Sequence, residues 1–306
     1  MIERTVVHYS QHDPREWSGG VETFGRRLAR VFREVVYMTP ATRDEARVRS
    51  QRLPVICDNQ YVLDWPPDVP VIGFQHGVGA LKALALPNRG TWRLALAQAR
   101  AAKRPNTTWV ACARWIADAF RRLHGVRGTK VLYHRVDLDV FDGRLQNDDS
   151  RLVLHDGRAP HKGSLVYPYL ARAFPAYRFE PLDCPPEGVP ERMRRAAAFV
   201  HLSSYEGNSI VCNEAMAMNL PCFFTRVGLF REDPAADVVV VPRRLVFGPV
   251  ASFGRRTLKA RFGEFLESLA TKRYEPRRWV EENASFAGYD DAWRDVLRGF
   301  DTLSWS

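Results

Sequence analysis

The most constraining stretch of the chain lies beyond its middle, where an apolar run, a polar turn and a helical pattern follow one another. Residues 197–202 are mostly apolar and predict a buried strand, 203–207 are polar, and 209–218 carry apolar side chains at helical spacing. Glu206 would then end a strand and Glu214 would lie in the next helix. Because ligands bind outside the carboxyl ends of parallel strands, and helix N-termini favour anions, we expect a ligand site here. The alternative is a pair of solvated charges at a helix start.

Length and composition allow two globular domains. The chain has 306 residues and is 45% hydrophobic, which suits two α/β domains of roughly 150 residues each. No apolar run approaches the roughly 20 residues of a membrane span, and residues 1–5 lack the apolar core of a secretory signal. The five cysteines form no CxxC pair. We therefore expect reduced, buried thiols and a cytoplasmic protein.

The net charge of +10 comes mostly from arginine and implies an anionic partner: nucleotide phosphates, an anionic membrane surface or nucleic acid. We do not expect nucleic acid as a partner, because the sequence has no zinc-finger, stacked-aromatic or basic-zipper pattern. Arg93, Arg100 and Arg104 share one stripe at a predicted helix, 91–103. This stripe predicts peripheral contact with the inner face of a membrane. A solvated basic face is the alternative.

Strands and helices alternate along both halves of the chain, which predicts an α/β protein with parallel sheets. A polar break at 142–150 separates the two series. We therefore predict a first domain at 1–145, a second at 151–285 and a terminal segment at 286–306. Among the predicted helices are one at 21–32 and three near the end of the chain, at 252–270, 276–284 and 290–300.

Further candidate site residues follow predicted strands of the first half. Gly19 and Gly20 separate the first strand from its helix, and glycine lets backbone N–H groups approach a phosphate closely. A tight turn without a ligand is the alternative. His76 follows the strand at 69–74 and precedes Gly77. A histidine at a strand end predicts a site role, against the alternative of a purely structural histidine.

The loop after the strand at 152–155 contains Gly157, Arg158 and Lys162. Arginine offers a rigid fork of donors and lysine a mobile point charge, and both suit a phosphate. We expect an anion-binding loop, with ordinary surface cations as the alternative.

Five segments together resemble the retaining GT-B glycosyltransferases of family four, and they occur in that family's order. The strongest is the stretch from Ser203, which resembles the family's Ser-x-x-Glu-Gly and Glu-Ala-Met-Ala motif with seven residues between Glu206 and Glu214. The other four segments are 19–22, 75–77, 136–141 and 157–163. The resemblance implies an α/β fold of the GT-B type. In that fold, two Rossmann-like domains face each other across a cleft, and C-terminal helices pack back toward the first domain.

The activity implied by the resemblance is metal-independent, retaining transfer of a sugar, as in polysaccharide biosynthesis. The donor would be a UDP- or GDP-linked sugar, with no further cofactor, and the acceptor a glycan, a lipid-linked sugar or a small molecule. Arg158 and Lys162 would stabilise the diphosphate, and Glu214 would accept hydrogen bonds from the ribose. Glu206 would hold donor-sugar hydroxyls, and His76 would contact the donor sugar or the acceptor. The remaining donor-binding positions would be Gly19, Gly20, Gly157, Asn208, Ser209 and Ile210.

Two other function classes fit the same residues. One is a nucleotide or nucleic-acid binding protein on this fold that lacks transferase turnover, as the charge of +10 would allow. The other is an epimerase or phosphorylase on the same scaffold. The segment between Lys162 and Glu206 is short for the resembled family, so we also expect fewer strands in the second domain.

Overall fold

The structure, a computed structural model, describes residues 1–17, 19–146, 149–157, 159–232, 239–241, 244–245, 251–252 and 254–305. The chain forms two compact units. The first comprises Met1–Ala83, Pro87–Arg135 and Phe286–Ser306, and the second comprises Leu84–Leu86 and Val136–Ser285. The main part of the second unit thus begins at Val136, ahead of the polar segment at 142–150.

Strands and helices alternate from the first residues onward. The strands up to residue 135 are β1 (Ile2–Tyr9), β2 (Phe32–Met38), β3 (Val55–Asp58), β4 (Val71–Gln75), β5 (Thr107–Ala111) and β6 (Lys130–Val131). The helices of this part are α1 (Gly20–Leu28), α2 (Glu45–Gln51), α3 (Gly79–Ala85), α4 (Arg89–Ala101) and α5 (Arg114–His124).

The rest of the chain continues the alternation and ends in three helices. Its strands are β7 (Asp149–His155), β8 (Arg178–Pro181), β9 (Ala196–His201), β10 (Cys222–Thr225), β11 (Val239–Val241), β12 (Arg244–Leu245) and β13 (Ala251–Ser252). Its helices are α6 (Tyr167–Ala173), α7 (Val189–Arg195), α8 (Ile210–Ala217), α9 (Arg255–Ser268), α10 (Arg277–Asn283) and α11 (Tyr289–Asp301).

The main sheet of the first unit has six parallel strands in the order β2-β1-β3-β4-β5-β6. Its central strands β3 and β4 are buried at every position, as expected where helices cover both faces of a parallel sheet. Gly73 in β4 leaves room for the Trp109 ring, which a Cβ at position 73 would meet at 2.5 Å. The buried polar residues of this sheet, His8, Asp58 and Gln75, lie at or next to the carboxyl ends of their strands.

The main sheet of the second unit has five parallel strands in the order β11-β10-β9-β7-β8. Adjacent residues of β10 serve opposite faces: Phe223 packs against Phe262 of α9, and Phe224 packs against Phe199 and Phe230. Strands β12 and β13 form a separate antiparallel pair.

Both sheets have a topological switch point, where strand order reverses direction. In the first sheet β1 lies between β2 and β3, and in the second β7 lies between β8 and β9. Connections on either side of such a point lead away in opposite directions, which opens a crevice beyond the carboxyl ends of the two strands. Each unit therefore has one favoured position for a ligand site, at β1/β3 and at β7/β9.

The predicted α/β class with two Rossmann-like parallel sheets is confirmed. One boundary is wrong: the predicted helix at 21–32 ends at Leu28, because Phe32 already pairs with Ile2 as the start of β2. Within the described residues, no helix is both long and apolar enough to cross a membrane.

Candidate functional site

The carboxyl ends of β7 and β9 bring four ionisable side chains together at the switch point of the second unit. We call Asp156, Lys162, His201 and Glu206 the switch-point cluster. Lys162 Nζ lies 2.9 Å from Asp156 Oδ2 and 3.2 Å from Glu206 Oε1. His201 Nε2 lies 3.1 Å from the same Glu206 oxygen. Two acids and two bases thus alternate in space, although they come from separate segments of the chain.

Burial makes these contacts strong. The side chain of His201 is 0% exposed, that of Asp156 4%, that of Glu206 14% and that of Lys162 26%. Burial by itself raises the pKa of Glu206, but the Lys162 charge and the His201 hydrogen bond outweigh it and lower that pKa to about 2. Burial opposes the charge of Lys162, whereas Glu206 and Asp156 raise its pKa overall. Glu206 and Lys162 are therefore an ion pair at neutral pH.

The loops that carry the cluster are tied to each other. The Ser204 N–H donates to the carbonyl of His161 at 2.6 Å, and Ser203 Oγ lies 3.2 Å from the same carbonyl. Gly228, at φ 57°, packs so closely on the Glu206 loop that a Cβ there would lie 2.8 Å from Glu206 Cβ. These contacts fix the position of Glu206 relative to the turn that precedes Lys162.

Helix α8 begins directly after the Glu206 loop. Asn208 and Ser209 are buried, and Asn213 Nδ2 donates to Asn208 Oδ1 at 2.9 Å. Ser209 occupies the N-cap position, but in the described structure its side chain makes no capping hydrogen bond. The first backbone N–H groups of a helix, here from Ile210 onward, have no partner inside it, so they suit an anion. Glu214 is a buried residue of the same helix.

Gly157 stands where a side chain would not fit. A Cβ at this position would lie 2.6 Å from His155 Nδ1 and even closer to the ring of Tyr167. These two rings stack at a centroid distance of 3.8 Å. The Gly157 N–H donates to His155 Nδ1 at 3.1 Å. Arg158, the next predicted site residue, lies outside the described residues.

The switch point of the first unit has a cluster of its own, built around one carboxylate. Asp58 ends β3, with Oδ1 2.7 Å from His76 Nε2 and Oδ2 3.0 Å from His8 Nε2. The distance between Asp58 Oδ2 and His8 Nε2 fits an ion pair, but these two atoms do not form a hydrogen bond. Burial by itself raises the pKa of Asp58, but His8 and His76 lower it to about 2. Asp58 is therefore ionised near neutral pH and accepts the hydrogen bond from His76.

His76 uses both nitrogens of its ring inside the first unit. Its Nδ1 lies 3.3 Å from His134 Nε2, while Asp58 holds its Nε2. Burial, followed by the charges of His76 and Arg27, lowers the pKa of His134 well below its usual value, so His134 is neutral. A ligand contact through the His76 ring would require one of these two partners to be exchanged.

The predicted glycine loop of the first unit precedes α1. Gly20 is the first residue of that helix, and a Cβ there would meet nothing within 4 Å. Gly19 is extended, with φ of 179°, so its backbone does not require glycine. A Cβ at Gly19 would lie 2.4 Å from Glu22 Oε2, the end of a flexible side chain that can move aside. Fixed packing partners therefore require neither glycine, in contrast to the two rings beside Gly157.

One group of side chains has a donor set suited to a metal ion. Ligand atoms of His76, Cys112 and His134 lie within 4.8 Å of one another, and two imidazoles with a thiolate would suit zinc. The Cys112 thiol, however, donates to the His76 carbonyl at 3.6 Å, and the two rings contact each other. These groups already have partners within the unit.

Glu206 and Lys162, both selected from the sequence, form an ion pair in the structure, and the predicted Gly157 directly follows Asp156 of the switch-point cluster. The structure also places Asn208, Ser209, Ile210 and Glu214 on the segment that follows Glu206. The sequence analysis did not predict Asp156 and His201 of the second unit. It also did not predict Asp58, His8 and His134 of the first unit. A polar residue at or just after the end of a buried strand was the available signal, since four of these five lie at or near the end of a strand of a main sheet.

One segment of the sequence matches a known protein family. Residues 181–244 match the family described as glycosyl transferases group 1; this segment contains Glu206 and Glu214. No curated protein sequence matches the chain.

Solved structures match the whole chain at low identity. A sucrose-phosphate synthase from Thermosynechococcus elongatus is 14% identical with a TM-score of 0.74, covering 98% of this chain and 99% of its own. HepE from Anabaena, in complex with UDP, is 14% identical with a TM-score of 0.66, covering 97% and 100%. AviGT4, a glycosyltransferase of avilamycin A biosynthesis, is 16% identical with a TM-score of 0.60, covering 100% of both chains. The fold is therefore of the GT-B type.

Proposed function

We propose that the protein is a glycosyltransferase that takes a sugar from a nucleotide-sugar donor. The observation that carries the proposal is the Lys162–Glu206 ion pair at the β7/β9 switch point. Glu206 lies inside the segment that matches the glycosyl transferase family, and the N-terminus of α8 follows it directly. A cation, a carboxylate and a helix N-terminus together suit a donor that carries a diphosphate and a sugar.

Each group has a role in this proposal. Negative charge builds on the diphosphate when the glycosidic bond breaks, and Lys162, Arg158 and the backbone at Asn208, Ser209 and Ile210 stabilise it without a metal ion. Glu214 accepts hydrogen bonds from the ribose, and Glu206 holds hydroxyls of the donor sugar. Gly157, Gly19 and Gly20 let the backbone approach the donor closely. His76 contacts the donor sugar or the acceptor.

We further propose a UDP-linked donor, with a GDP-linked donor as the alternative, and retention of configuration at the sugar. HepE has been solved with UDP and with UDP-glucose, which supports the uridine nucleotide. Retention follows if the acceptor attacks from the face that the diphosphate leaves, with the leaving phosphate taking the proton of the acceptor. The acceptor is a glycan, a lipid-linked sugar or a small molecule.

The test begins with thermal shift across UDP, GDP, ADP and their sugars, because a ligand that binds the native state raises its apparent stability. The nucleotide that binds then serves in a turnover assay with Lys162→Ala and Glu206→Gln. We expect each variant to lose at least about a hundredfold in kcat. The matched control is Lys259→Ala, an exposed lysine on α9 of the same unit. Full turnover in both site variants would contradict the proposal.

A nucleotide-binding protein without turnover is the second candidate, and the net charge of +10 favours it. Such a protein would bind UDP or nucleic acid with an affinity that falls steeply with salt. It would leave UDP-glucose intact over long incubation. Release of UDP from UDP-glucose by the purified protein would exclude it.

We also propose that the protein contacts an anionic membrane peripherally at the cytoplasmic face. One part of the predicted arginine stripe is wrong: Arg104 is buried. Arg93 and Arg100 are exposed on α4, as are Trp92 (47%) and Leu96 (66%). Cationic and apolar side chains together on one exposed helix suit a membrane surface.

Liposome flotation tests this contact. We expect the protein to float with vesicles that contain phosphatidylglycerol and not with phosphatidylcholine alone, and Arg93→Gln/Arg100→Gln to reduce flotation several-fold. Arg121→Gln/Arg122→Gln, two exposed arginines on α5, is the matched control. Equal flotation with both lipids would contradict this contact and indicate that the exposed face of α4 is solvated.

A further inference from the structure

One buried histidine of the second unit has no role in the reaction proposed above. His201 ends β9, its side chain is 0% exposed, and Phe224 of the neighbouring strand packs edge-on against its ring. Its Nε2 lies 3.1 Å from Glu206 Oε1, and its Nδ1 lies 4.0 Å from Asp156 Oδ2. The imidazole is therefore placed between two carboxylates.

The charges of the switch-point cluster balance only if this imidazole is protonated. Asp156 and Glu206 together carry two negative charges, and Lys162 carries one positive charge. With a neutral His201, these four side chains would carry a net negative charge in a largely buried site, which is unfavourable. An imidazolium makes the cluster neutral and gives Glu206 a charge-assisted hydrogen bond.

Among the residues that the structure describes, the other groups in contact with the ring are uncharged. Cys212 of α8 contacts it, and burial raises the pKa of this thiol, so the thiol is neutral near pH 7. On β10, Thr225 Oγ1 donates to the His201 carbonyl at 3.4 Å. Burial by itself lowers the pKa of His201, whereas Cys212 and Glu206 raise it. Because the thiol is neutral, Glu206 is the partner that requires the proton.

Donor binding would change the balance around Glu206. Lys162 is shared by Asp156 and Glu206, and a diphosphate that recruits the ammonium would withdraw it from both carboxylates. The same diphosphate would add negative charge beside Glu206, which favours protonation of that carboxyl group. His201 cannot follow the phosphate, because its ring is enclosed in the core at the end of β9.

We propose that His201 is a positioning residue: a buried imidazolium that keeps Glu206 ionised and oriented while Lys162 binds the diphosphate of the donor. The catalytic consequence rests on the function proposed above. The protonation state does not, since it follows from the cluster alone.

The same unit contains a matched control. His155 ends β7, next to β9, and is also buried. Its ring stacks on Tyr167 and its Nδ1 accepts the Gly157 N–H. Burial lowers the pKa of His155 to about 4, although Asp156 opposes this shift. Neighbouring strands therefore end in one neutral and one charged histidine.

The first experiment is side-chain NMR of the full-length chain with ¹⁵N-labelled histidine, between pH 6 and 9. We expect His201 to keep two protonated ring nitrogens throughout and His155 to keep one. His201→Gln and His155→Gln assign the two signals by their loss. A His201 ring that is neutral at pH 7, or that titrates near the usual histidine pKa, would overturn the proposal.

The second experiment is the pH profile of kcat/KM with UDP-glucose as the probe. Glutamine at position 201 keeps a hydrogen-bond donor and removes the charge. We expect activity of the wild type to change less than about twofold between pH 5.5 and 7.5. In His201→Gln the pKa of Glu206 should be raised, and kcat/KM should fall about tenfold per pH unit below that pKa. A purely structural role would lower activity at every pH and leave the shape of the profile unchanged.

The two experiments separate the two proposals. Absence of turnover in the wild type, together with a protonated His201, would contradict the transferase function and keep the charged histidine. Turnover with a neutral His201 would support the transferase function and contradict the charged histidine. If His201→Gln does not fold, the His201 signal is assigned in the wild type through its contact with the Phe224 ring, and its protonation state is still decided. Glu206→Gln/His201→Gln should show no loss beyond Glu206→Gln alone, because both changes act on one carboxylate.

Discussion

Single side chains in this protein owe their properties to partners that are distant in sequence. Glu206 is an ordinary acidic residue in its own segment, yet Lys162, 44 positions earlier, is within 3.2 Å of it. His155 and His201 are both buried histidines at strand ends, and their pKa values move in opposite directions. The difference lies in what each ring faces: an aromatic ring and a backbone N–H in one case, two carboxylates in the other.

The lowered pKa of Glu206 predicts a dependence of stability on acid. A carboxyl group whose pKa falls from 4.5 to about 2 on folding stabilises the protein fully above pH 4.5. That contribution is lost as pH falls from 4.5 toward 2. Between pH 6 and 3, we expect the unfolding free energy of Glu206→Gln to fall by about 1–3 kcal/mol less than that of the wild type, as measured by urea unfolding. Glu267→Gln, an exposed position on α9, should behave as the wild type; equal curves for all three proteins would contradict the prediction.

Two glycines of the proposed site should respond differently to alanine. At Gly157 the new methyl group would meet the buried His155 and Tyr167 rings, so we expect a loss of about 1–3 kcal/mol in stability. At Gly20 the space is open and the residue begins a helix, so alanine should leave stability unchanged or raise it by up to about 1 kcal/mol. Denaturant unfolding of both variants checks the contrast, which an equal effect at the two positions would disprove.

Among the secondary-structure elements, α4 shows how burial overrides a surface pattern. Arg104 follows the helix and falls on its arginine stripe, but the structure turns its guanidinium inward. Its nitrogens donate to the carbonyls of Pro66 at 2.6 Å and Val69 at 2.7 Å, and to that of Asn106 at 3.2 Å. This one side chain thus ties the end of α4 to the segment before β4 and to the start of β5.

Even a conservative substitution of Arg104 should therefore destabilise the protein. Lysine lacks the planar fork and would leave several buried carbonyls without a donor, so Arg104→Lys should lose about 2–4 kcal/mol in unfolding free energy. Arg100→Lys, at an exposed position of α4, should change the unfolding free energy by less than about 0.5 kcal/mol. Chemical denaturation with matched m-values is the measurement. Similar stability of the two variants would show that the carbonyls find other donors.

At the level of the whole molecule, the first unit is completed by the end of the chain. Trp293 of α11 is 0% exposed and packs against Phe32 of β2 at 5.4 Å and Phe74 of β4 at 6.2 Å. Lys130 of β6 pairs with Asp295 of the same helix. The last segment of sequence thus covers the sheet that the first segments form.

Loss of this packing should destabilise the first unit selectively. We expect Trp293→Ala to lower its unfolding free energy by about 3–5 kcal/mol, because a large buried ring leaves a cavity. Trp92→Ala, at an exposed tryptophan of the same unit, is the control. Hydrogen exchange followed by mass spectrometry should show faster exchange in β1 to β5 and little change in β7 to β10. Uniform acceleration in both units would contradict the assignment of α11 to the first.

The sequence by itself determined the α/β class, nearly all strands of the two main sheets, and the strand–turn–helix segment with Glu206 and Glu214. It could do so because apolar periodicity, glycine and helix starts act over a few residues. It did not determine the strand orders, the end of α1 or the burial of Arg104, which depend on long-range packing.

Only the tertiary structure decided which strand ends are neighbours. The reversal of strand order at β1/β3 and β7/β9 brings Asp58 to His8 and His201 to Asp156. A local pattern can place a histidine at the end of a strand. Whether that histidine is neutral or charged depends on the groups that the sheet order and its crossover connections bring to it, and on how completely water is excluded from them.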